Sequence, residues 1–416
     1  MDPKRLKVER ERGVQILKGV QKMLKEDYYD LTFHGMDLDA RVKQAEAKMA
    51  TAESLGQIFG IVAQLVNELD DSHTFFFPPG RPVDVEYGWR MQIIGEDCFV
   101  VAVKPKSDAE AQGLRPGDRV VSIDGFKPNR KTMQLIEYNY NALRPQPGMR
   151  AIFQSPGGQP RELALKAEVV KLDQQVNPTQ LYYSYLNNEE DDKKLPVYKE
   201  LADDVFIWKL RDFGLTEGKV DDLMKRASKH KSMVIDMRGN PGGYVDTMVR
   251  LTSYFIDNEY IAGMIQKRKK PEAIKVKPRS KPFKGKVVLL IDSESASAAE
   301  SFPYLMQLQK RGTIIGDRSA GAVMVATFQL AYITSISSDN IVPFYMNMTI
   351  GQLIFPDGKS LEHVGVTPDE IVLPTPEDLA AGRDTVLAHA VEVAGGKISS
   401  QEAGTLFPYV WRRVGQ

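Results

Sequence analysis

The sequence of 416 residues is poor in cysteine, in long apolar runs and in net charge. Cys98 is the only cysteine, which excludes an internal disulfide and a zinc site built from cysteines. No apolar run approaches the roughly 18 residues that a membrane-spanning helix needs. Lys and Arg together number 55, as do Asp and Glu, so the formal net charge is zero. Nothing in this balance favours a nucleic acid or a membrane surface as a partner.

The chain is long enough for two or three domains, because single cores stop growing at about 250 to 300 residues. Its 42% hydrophobic content supplies the apolar side chains for such cores. Apolar positions at steps of three and four residues predict helices over much of residues 5–68. Short strands are predicted from about residue 87 to 170, and a buried strand begins at Val205. Residues 376–395 are predicted to form a closing amphipathic helix.

A buried strand near residues 287–291 runs into a helix that we predict to end near Gln309. The junction contains the sequence SASAAE at residues 295–300. A serine at such a junction projects out of the fold, and the free N–H groups of the first helical turn face a developing oxyanion. The alternative is that these serines only cap the helix, a position that serine favours.

The sequence SASAAE, followed by IGDRSAG at residues 315–321, resembles the active-site region of the carboxy-terminal processing (tail-specific) proteases, peptidase family S41. The resemblance recurs in five places between about residues 68 and 373 and includes the tricorn-like relatives. It implies that Ser297 is the nucleophile. It also implies an α/β fold with a crotonase-like or ClpP-like protease core of stacked βα units, an inserted PDZ domain and an N-terminal helical cap.

Ser72 and His73 stand where tricorn-like members carry a Ser-His pair, in which the histidine is the general base. Imidazole has an ordinary pKa of about 6.5, which suits the removal of a serine proton near neutrality. The alternative is a loop histidine beside two aspartates. Glu362, in the closing motif at residues 357–369, matches the glutamate that supports the pair. The resemblance therefore implies a relay from Glu362 to Ser72 to His73 to Ser297.

The main departure from the family pattern is Ala322. Proteases of the Ser–Lys branch carry a lysine directly after the glycine that corresponds to Gly321. Residues 323–330 are uncharged, so no nearby lysine replaces it. Because a serine without a base is a poor nucleophile, either another base operates or the site is inactive. His363, beside Glu362, is a rival base that has no catalytic counterpart in the family.

The sequence MVIDMRGNPGG at residues 233–243 resembles the family motif Asp-x-Arg-x-Asn-x-Gly-Gly. In the family a glycine N–H of this motif supplies one half of the oxyanion hole. Here that glycine is Gly242 or Gly243, and the N–H of Ala298 supplies the other half. Glycine permits the backbone torsions that aim such an N–H. The alternative is a plain turn at the end of a strand.

The sequence AEAQGLRPGDRVVSIDG at residues 109–125 resembles a PDZ domain, and its Asp-Gly pair predicts a hairpin. PDZ domains bind a peptide as an added strand and hold its terminal carboxylate on backbone N–H groups. The residues in the place of the carboxylate-binding loop are Tyr87, Gly88, Trp89, Arg90 and Met91. Trp89 departs from the small apolar residue that is usual there. The alternative is therefore a groove closed by Trp89 in a module that acts only as a spacer.

The expected division of the chain is a helical cap (1–80), a PDZ domain (81–170), a polar linker (171–203), a protease core (204–400) and a C-terminal tail (401–416). The function implied is a serine endopeptidase that cleaves unfolded protein tails or peptides through an acyl-enzyme. One alternative is a PDZ-bearing pseudoprotease that binds peptides without hydrolysis. An acyl-CoA enzyme with a crotonase-like core is another, although SASAAE and the PDZ resemblance both speak against it.

We expect no metal or organic cofactor, no nucleic acid and no transmembrane segment, with unfolded polypeptides as the partners. The first ten residues predict a charged helix start rather than a signal sequence. The family resemblance implies an exported protein, periplasmic or extracellular, whose signal sequence is missing from this chain. A cytoplasmic location is the alternative.

Overall fold

The computed structural model describes residues 2–176, 197–334 and 341–411. The helices in these ranges are α1 (Pro3–Asp27), α2 (Leu38–Thr51), α3 (Leu55–Asn67), α4 (Asp108–Ala111), α5 (Met133–Tyr138), α6 (Glu217–Ala227), α7 (Val245–Thr252), α8 (Ala298–Leu308), α9 (Pro376–Ala381), α10 (Thr385–Val393) and α11 (Ser400–Leu406). The strands are β1 (Phe75–Phe77), β2 (Arg81–Glu86), β3 (Trp89–Ile94), β4 (Asp97–Val103), β5 (Arg119–Ile123), β6 (Gly148–Gln154), β7 (Arg161–Lys166), β8 (Glu168–Val176), β9 (Tyr198–Glu200), β10 (Val205–Lys209), β11 (Ser232–Asp236), β12 (Tyr260–Lys267), β13 (Glu272–Val276), β14 (Lys286–Ile291), β15 (Thr313–Gly316), β16 (Met324–Thr334), β17 (Ile341–Ile354) and β18 (Glu370–Ile371).

A six-stranded sheet in the order β18-β15-β14-β11-β10-β9 forms the centre of the fold, and only its edge strand β9 is antiparallel. Its inner strands are continuous apolar runs, as residues 287–291 illustrate, because both faces are covered. Side chains of α6, α7 and α8 pack on one face, and those of α10 and α11 pack on the other. Since β11 and β14 are parallel neighbours, the loops that follow them meet at one edge of the sheet.

A second sheet has the order β1-β17-β12-β13, and β16 also pairs with β17 along a long antiparallel hairpin. The N-terminal helices α1, α2 and α3 pack on this hairpin, where Leu17, Val20 and Ile58 share a core with Phe344 and Met346. Strand β1 pairs with β17, opposite residues 345–347. This pairing places residues 71–74, which directly precede β1, beside β17.

Residues 89–166 form a five-stranded antiparallel sheet in the order β3-β4-β5-β6-β7, with α4 and α5 between its strands. The module has its own core, which includes Val100, Val120 and Phe153. The antiparallel pair of β2 and β8 flanks the module on both sides in the sequence. Strand β3 is an edge strand of the module's sheet.

The helix predicted to end near Gln309 is confirmed, because α8 ends at Leu308. The single helix predicted at residues 376–395 is wrong. It is two helices, because Gly382 adopts a left-handed conformation (φ 63°) that ends α9. Residues 401–406, predicted as tail, are helical in α11.

Strands also lie where a cap and a linker were expected. Strand β1, within residues 1–80, pairs with β17. Strand β8 runs into the expected linker, and β9 joins the central sheet from within it. The polar run at residues 187–194 lies outside the described residues. No helix in the described ranges combines the length and the apolar character that crossing a membrane requires.

Candidate active site

Ser297 follows β14 and is the N-terminal cap residue of α8. Its backbone has φ 57° and ψ −116°, a conformation that non-glycine residues rarely adopt and that is often found at functional sites. The Ser297 N–H donates to the Ala322 carbonyl at 2.8 Å and to Glu300 Oε2 at 3.1 Å. The half-buried side chain thus stands on a backbone that is held from two sides.

Ser72, His73 and Glu362 form a row of hydrogen bonds. Ser72 Oγ donates to Glu362 Oε2 at 2.9 Å, and the Ser72 N–H donates to Glu362 Oε1 at 2.9 Å. A further hydrogen bond joins His73 Nδ1 and Ser72 Oγ at 2.8 Å. Because the single Ser72 hydroxyl proton points to the carboxylate, His73 Nδ1 must carry the proton that it shares with Ser72 Oγ. His73 Nε2 is then the nitrogen with a free lone pair.

The row is tied to the Ser297 segment through two consecutive residues. The Ala322 carbonyl accepts from Ser297, and the next N–H, that of Val323, donates to Glu362 Oε2 at 2.8 Å. The structure therefore brings Ser297, Ser72, His73 and Glu362 into one connected cluster, although Ser72 and Glu362 are 290 positions apart in the sequence.

Electrostatics at His73 pull in opposite directions. Burial lowers the pKa of His73 below its ordinary value of 6.5, while the charges of Glu362 and Asp71 raise it. The net pKa shift is downward, so neutral imidazole, the form that accepts a proton, is favoured near neutral pH.

The rival His363 has a different environment. Its Nε2 lies 3.0 Å from the Asp70 carbonyl, and its side chain is 54% exposed. Glu362 Oε1 is 3.8 Å from the same nitrogen. With Nε2 donating to this carbonyl, Nδ1 is the nitrogen that keeps a lone pair, and in the described part of the chain no hydrogen bond connects Nδ1 to the cluster.

Glu300 is a residue for which the sequence interpretation assigned no role. Its fully buried carboxylate accepts hydrogen bonds from Ser319 Oγ (2.6 Å) and from the N–H groups of Gly321 (2.7 Å), Ala322 (2.8 Å) and Ser297 (3.1 Å). Burial raises the pKa of Glu300 to about 7, although these four donors lower it. The spacing of Ser297 and Glu300, an N-cap residue and the third helical position, is the signal of a capping box that could have identified it.

The predicted oxyanion donors differ in their partners. The Gly242 N–H donates to Asn240 Oδ1 at 2.8 Å. No hydrogen bond of the Gly243 or Ala298 N–H is recorded within residues 2–176, 197–334 and 341–411. Gly242 nevertheless touches the site, since a Cβ added to it would lie 2.6 Å from Ser297 Cβ and 3.1 Å from the Ala298 nitrogen.

Two further positions from the sequence motifs are structural in their contacts. Ser295 is fully buried, and its Oγ donates to the Met237 carbonyl at 2.8 Å. Ala322 stands where the Ser–Lys branch has a lysine. It is 7% exposed, its carbonyl accepts from Ser297, and its N–H donates to Glu300.

The side chains of the expected carboxylate-binding loop are buried or partly buried. Tyr87 and Trp89 belong to the module's core, and the Trp89 ring packs edge-on against Phe153 with ring centroids 5.2 Å apart. The Gly88 N–H donates to Glu86 Oε1 at 3.1 Å. Arg90 is 9% exposed, and Met91 is partly buried against the module's core.

The module touches the cluster directly. Gln134 of α5 donates its side-chain amide to the Ser72 carbonyl at 2.9 Å. Gln92 of β3 donates to Asp292 at 2.6 Å, and Ser293 Oγ donates to the carbonyl of Ile93. The module is therefore bonded both to the loop that carries the Ser-His pair and to the loop that precedes Ser297.

A cavity of about 650 Å³ opens beside the cluster and is bordered by Glu362, Asp71 and Met324. Within the described part of the chain, no three side chains of His, Cys, Asp or Glu are grouped so that they could hold a metal ion.

A serine at a strand-to-helix junction, connected through hydrogen bonds to a histidine–carboxylate row, is an arrangement that serine peptidases use. Residues 205–372 match the family model of "Peptidase family S41". Over these residues the chain is similar to peptidase family S41.

Curated relatives are similar over much of this chain. A probable CtpA-like serine protease of Staphylococcus haemolyticus (strain JCSC1435) is 24% identical over 325 residues, which are 74% of this chain and 59% of that protein. A probable CtpA-like serine protease of Staphylococcus aureus (strain bovine RF122 / ET3-1) is 24% identical over 366 residues, 87% of this chain and 65% of that protein. The chain thus spans less than two thirds of the length of either relative.

Solved structures share the fold. Mature CPAF complexed with lactacystin has a TM-score of 0.64 and 15% identity, with 93% of this chain and 98% of that chain covered. The photosystem II D1 C-terminal processing protease has a TM-score of 0.52 and 19% identity, with 88% and 94% covered. At these identities the likeness concerns the fold alone.

Proposed function

We propose that this chain is a serine endopeptidase that cleaves unfolded protein tails or peptides through an acyl-enzyme, with His73 as the general base for Ser297. The observation that carries this proposal is the hydrogen-bonded row from Glu362 through Ser72 to His73 Nδ1, which leaves Nε2 as the proton acceptor. Its attachment to Ser297 through residues 322–323 supports the same conclusion.

In the first step, His73 Nε2 takes the Ser297 hydroxyl proton while Ser297 Oγ bonds to the scissile carbonyl carbon. The negative charge that forms on the carbonyl oxygen is stabilised by backbone N–H groups, for which Ala298 and Gly243 are the better pair because the Gly242 N–H already has a partner. His73 then gives its proton to the leaving amine as the C–N bond breaks. Water, deprotonated by His73, hydrolyses the ester and restores Ser297.

The tricorn-like assignment and the crotonase-like or ClpP-like description of the core are part of this proposal. So are the PDZ identity of residues 81–170 and the export of the protein. β3 is an edge strand, which supports strand addition by a peptide at the positions that Ser293 does not already occupy. The bond between Gly88 and Glu86 argues against capture of a terminal carboxylate at that N–H. We therefore assign the module a role in holding extended segments rather than free chain ends.

A fluorophosphonate probe tests the nucleophile, because it reacts only with an activated serine. We expect a single adduct on Ser297, located by peptide mass spectrometry, and its absence in Ser297→Ala and in His73→Ala. If neither the parent nor any variant is labelled or cleaves unfolded protein, the chain is a pseudoprotease, the alternative that Ala322 favours.

The pH dependence of kcat/KM tests the base. Activity should rise with pH through an apparent pKa below the ordinary imidazole value, because burial lowers the pKa of His73. His73→Ala should remove nearly all activity, and Ser72→Ala or Glu362→Gln a smaller share. Near-normal turnover by His73→Ala, together with an inactive His363→Ala, would transfer the role to His363.

A further inference from the structure

Asp71 precedes the Ser-His pair and has a carboxylate that is saturated with donors from three parts of the fold. The donors to Oδ1 are the His73 N–H at 2.8 Å and Thr349 Oγ1 at 2.7 Å. Those to Oδ2 are Tyr28 OH at 2.9 Å and Thr74 Oγ1 at 3.1 Å. The carboxylate therefore joins the end of α1, the start of β1 and the middle of β17 at the backbone of His73.

The surroundings of this carboxylate are buried. Tyr28, Thr74 and Thr349 are at most 1% exposed. The pKa of the Tyr28 hydroxyl is raised, first by burial and then by the charge of Asp71, so this hydroxyl keeps its proton and acts as a donor. Four donors thus converge on a half-buried carboxylate whose two oxygens accept from all of them.

Two negative charges face His73. Glu362 lies behind Ser72 at the far end of the row, and Asp71 lies on the loop that carries the pair. Both charges favour the protonated imidazole, against the burial that lowers the His73 pKa. The relay in the proposed function uses only the first of these charges.

We propose that Asp71 is a positioning residue of the active site: its carboxylate fixes the His73 backbone and supplies a second negative charge for the imidazolium that forms when Ser297 is deprotonated. This inference rests on the proposed function, because it concerns the same histidine. Asp71 does not touch the substrate or the reacting atoms and acts only through His73.

Asp71→Asn separates charge from structure. The amide oxygen can take the place of Oδ1, where a backbone N–H requires an acceptor. The amide nitrogen then takes the place of Oδ2, whose two partners are hydroxyls that can accept as well as donate. The substitution thus preserves the geometry and removes the charge. Asp70→Asn is the matched control, because Asp70 is the adjacent carboxylate and is exposed to water, which screens its charge.

The experiment compares kcat/KM against pH for the parent, Asp71→Asn and Asp70→Asn. For Asp71→Asn we expect the rising limb to move to lower pH and kcat to fall about tenfold, the equivalent of one charge-assisted hydrogen bond, with KM nearly unchanged. Asp70→Asn should match the parent. An unmoved limb in Asp71→Asn overturns the inference, even if kcat and the melting temperature both fall, because that result describes a purely structural residue.

A second readout does not need activity. The titration of the His73 ring, followed by NMR in the Ser297→Ala background, should move to lower pH when Asp71→Asn is added and should not move with Asp70→Asn. A shifted titration in a chain that cleaves nothing would support Asp71 and reject the endopeptidase. An unshifted titration in an active enzyme would do the reverse. If Asp71→Asn fails to fold, Asp71→Ser removes the same charge and is compared in the same two ways.

Discussion

Replacement of Gly242 by alanine adds one methyl group next to Ser297, the proposed nucleophile. Gly242 has a positive φ of 101°, and an added Cβ would lie 2.6 Å from Ser297 Cβ and 2.9 Å from the Ala296 carbonyl oxygen. Carbon atoms in contact prefer about 3.5 to 4.0 Å. Ser297 must therefore move by roughly 1 Å, or the loop after β11 must withdraw by the same distance.

The two components of this cost have different consequences. The positive φ costs an alanine about 1 to 2 kcal/mol, and overpacking adds about 1 to 3 kcal/mol. A displacement of about 1 Å at the reacting atoms lowers the rate by roughly a hundredfold. For Gly242→Ala we thus expect a lower apparent melting temperature and a kcat reduced about a hundredfold, measured by thermal unfolding and by peptide hydrolysis.

Two glycines provide matched controls. Gly125 also has a positive φ, of 85°, but a Cβ there meets nothing within 4 Å, so Gly125→Ala isolates the backbone strain. Gly218 lies in α6 with open space around it, so Gly218→Ala should be neutral or stabilising. Full kcat in Gly242→Ala, or an equal loss of kcat in Gly125→Ala, would refute the argument that the added methyl acts by moving Ser297.

Three other predictions concern the surroundings of the site. Arg130→Ala removes the cationic partner of the buried Asp317 carboxylate (2.8 Å), leaves it two backbone N–H donors and should cost about 3 kcal/mol in urea denaturation; an unchanged midpoint would contradict this. Ser295→Ala breaks the bond to the Met237 carbonyl and should cost about 1 to 2 kcal/mol, yet it should reduce kcat far less than Ser297→Ala; comparable losses of kcat would favour a capping role for both serines. Because burial raises the pKa of Glu300 from 4.5 to about 7, its contribution to stability is greatest at acid pH and is lost as the pH rises through about 7. Melting temperatures measured against pH should show this decline in the parent and not in Glu300→Gln; identical profiles would refute it.

The sequence placed the chemical groups of the site better than it placed their hydrogen bonds. Ser297 was predicted from a motif at a strand-to-helix junction, and Ser72, His73 and Glu362 from the family resemblance. The structure joins the latter three by hydrogen bonds, and the catalytic roles of all four stay predictions. The hydrogen bond from the Gly242 N–H to Asn240 Oδ1 was not predictable. It depends on the orientation of the Asn240 side chain, whose Nδ2 donates to the Leu210 carbonyl. Backbone partners are set by tertiary geometry, which motif spacing does not encode.

Two short strands were also not predicted from the sequence. β1 and β9 have three residues each, too few for a period of two to be seen. The partner of β1 is far away in the chain, and β9 is itself the edge strand of the central sheet. The side chains of Trp89 and Ile93, both on β3, lie in the module's core. The alternative of a groove closed by Trp89 was based on the size of this side chain, because the sequence does not give its orientation.

The separation of 290 residues between Ser72 and Glu362 has a consequence during synthesis of the protein. A ribosome makes Ser72 and His73 first, Ser297 much later and Glu362 last of the four. Contacts of such long range also form slowly, since the chain must close a large loop before they contribute any stability. A nascent chain that already carries the proposed nucleophile therefore cannot complete the row until residue 362 has left the exit tunnel.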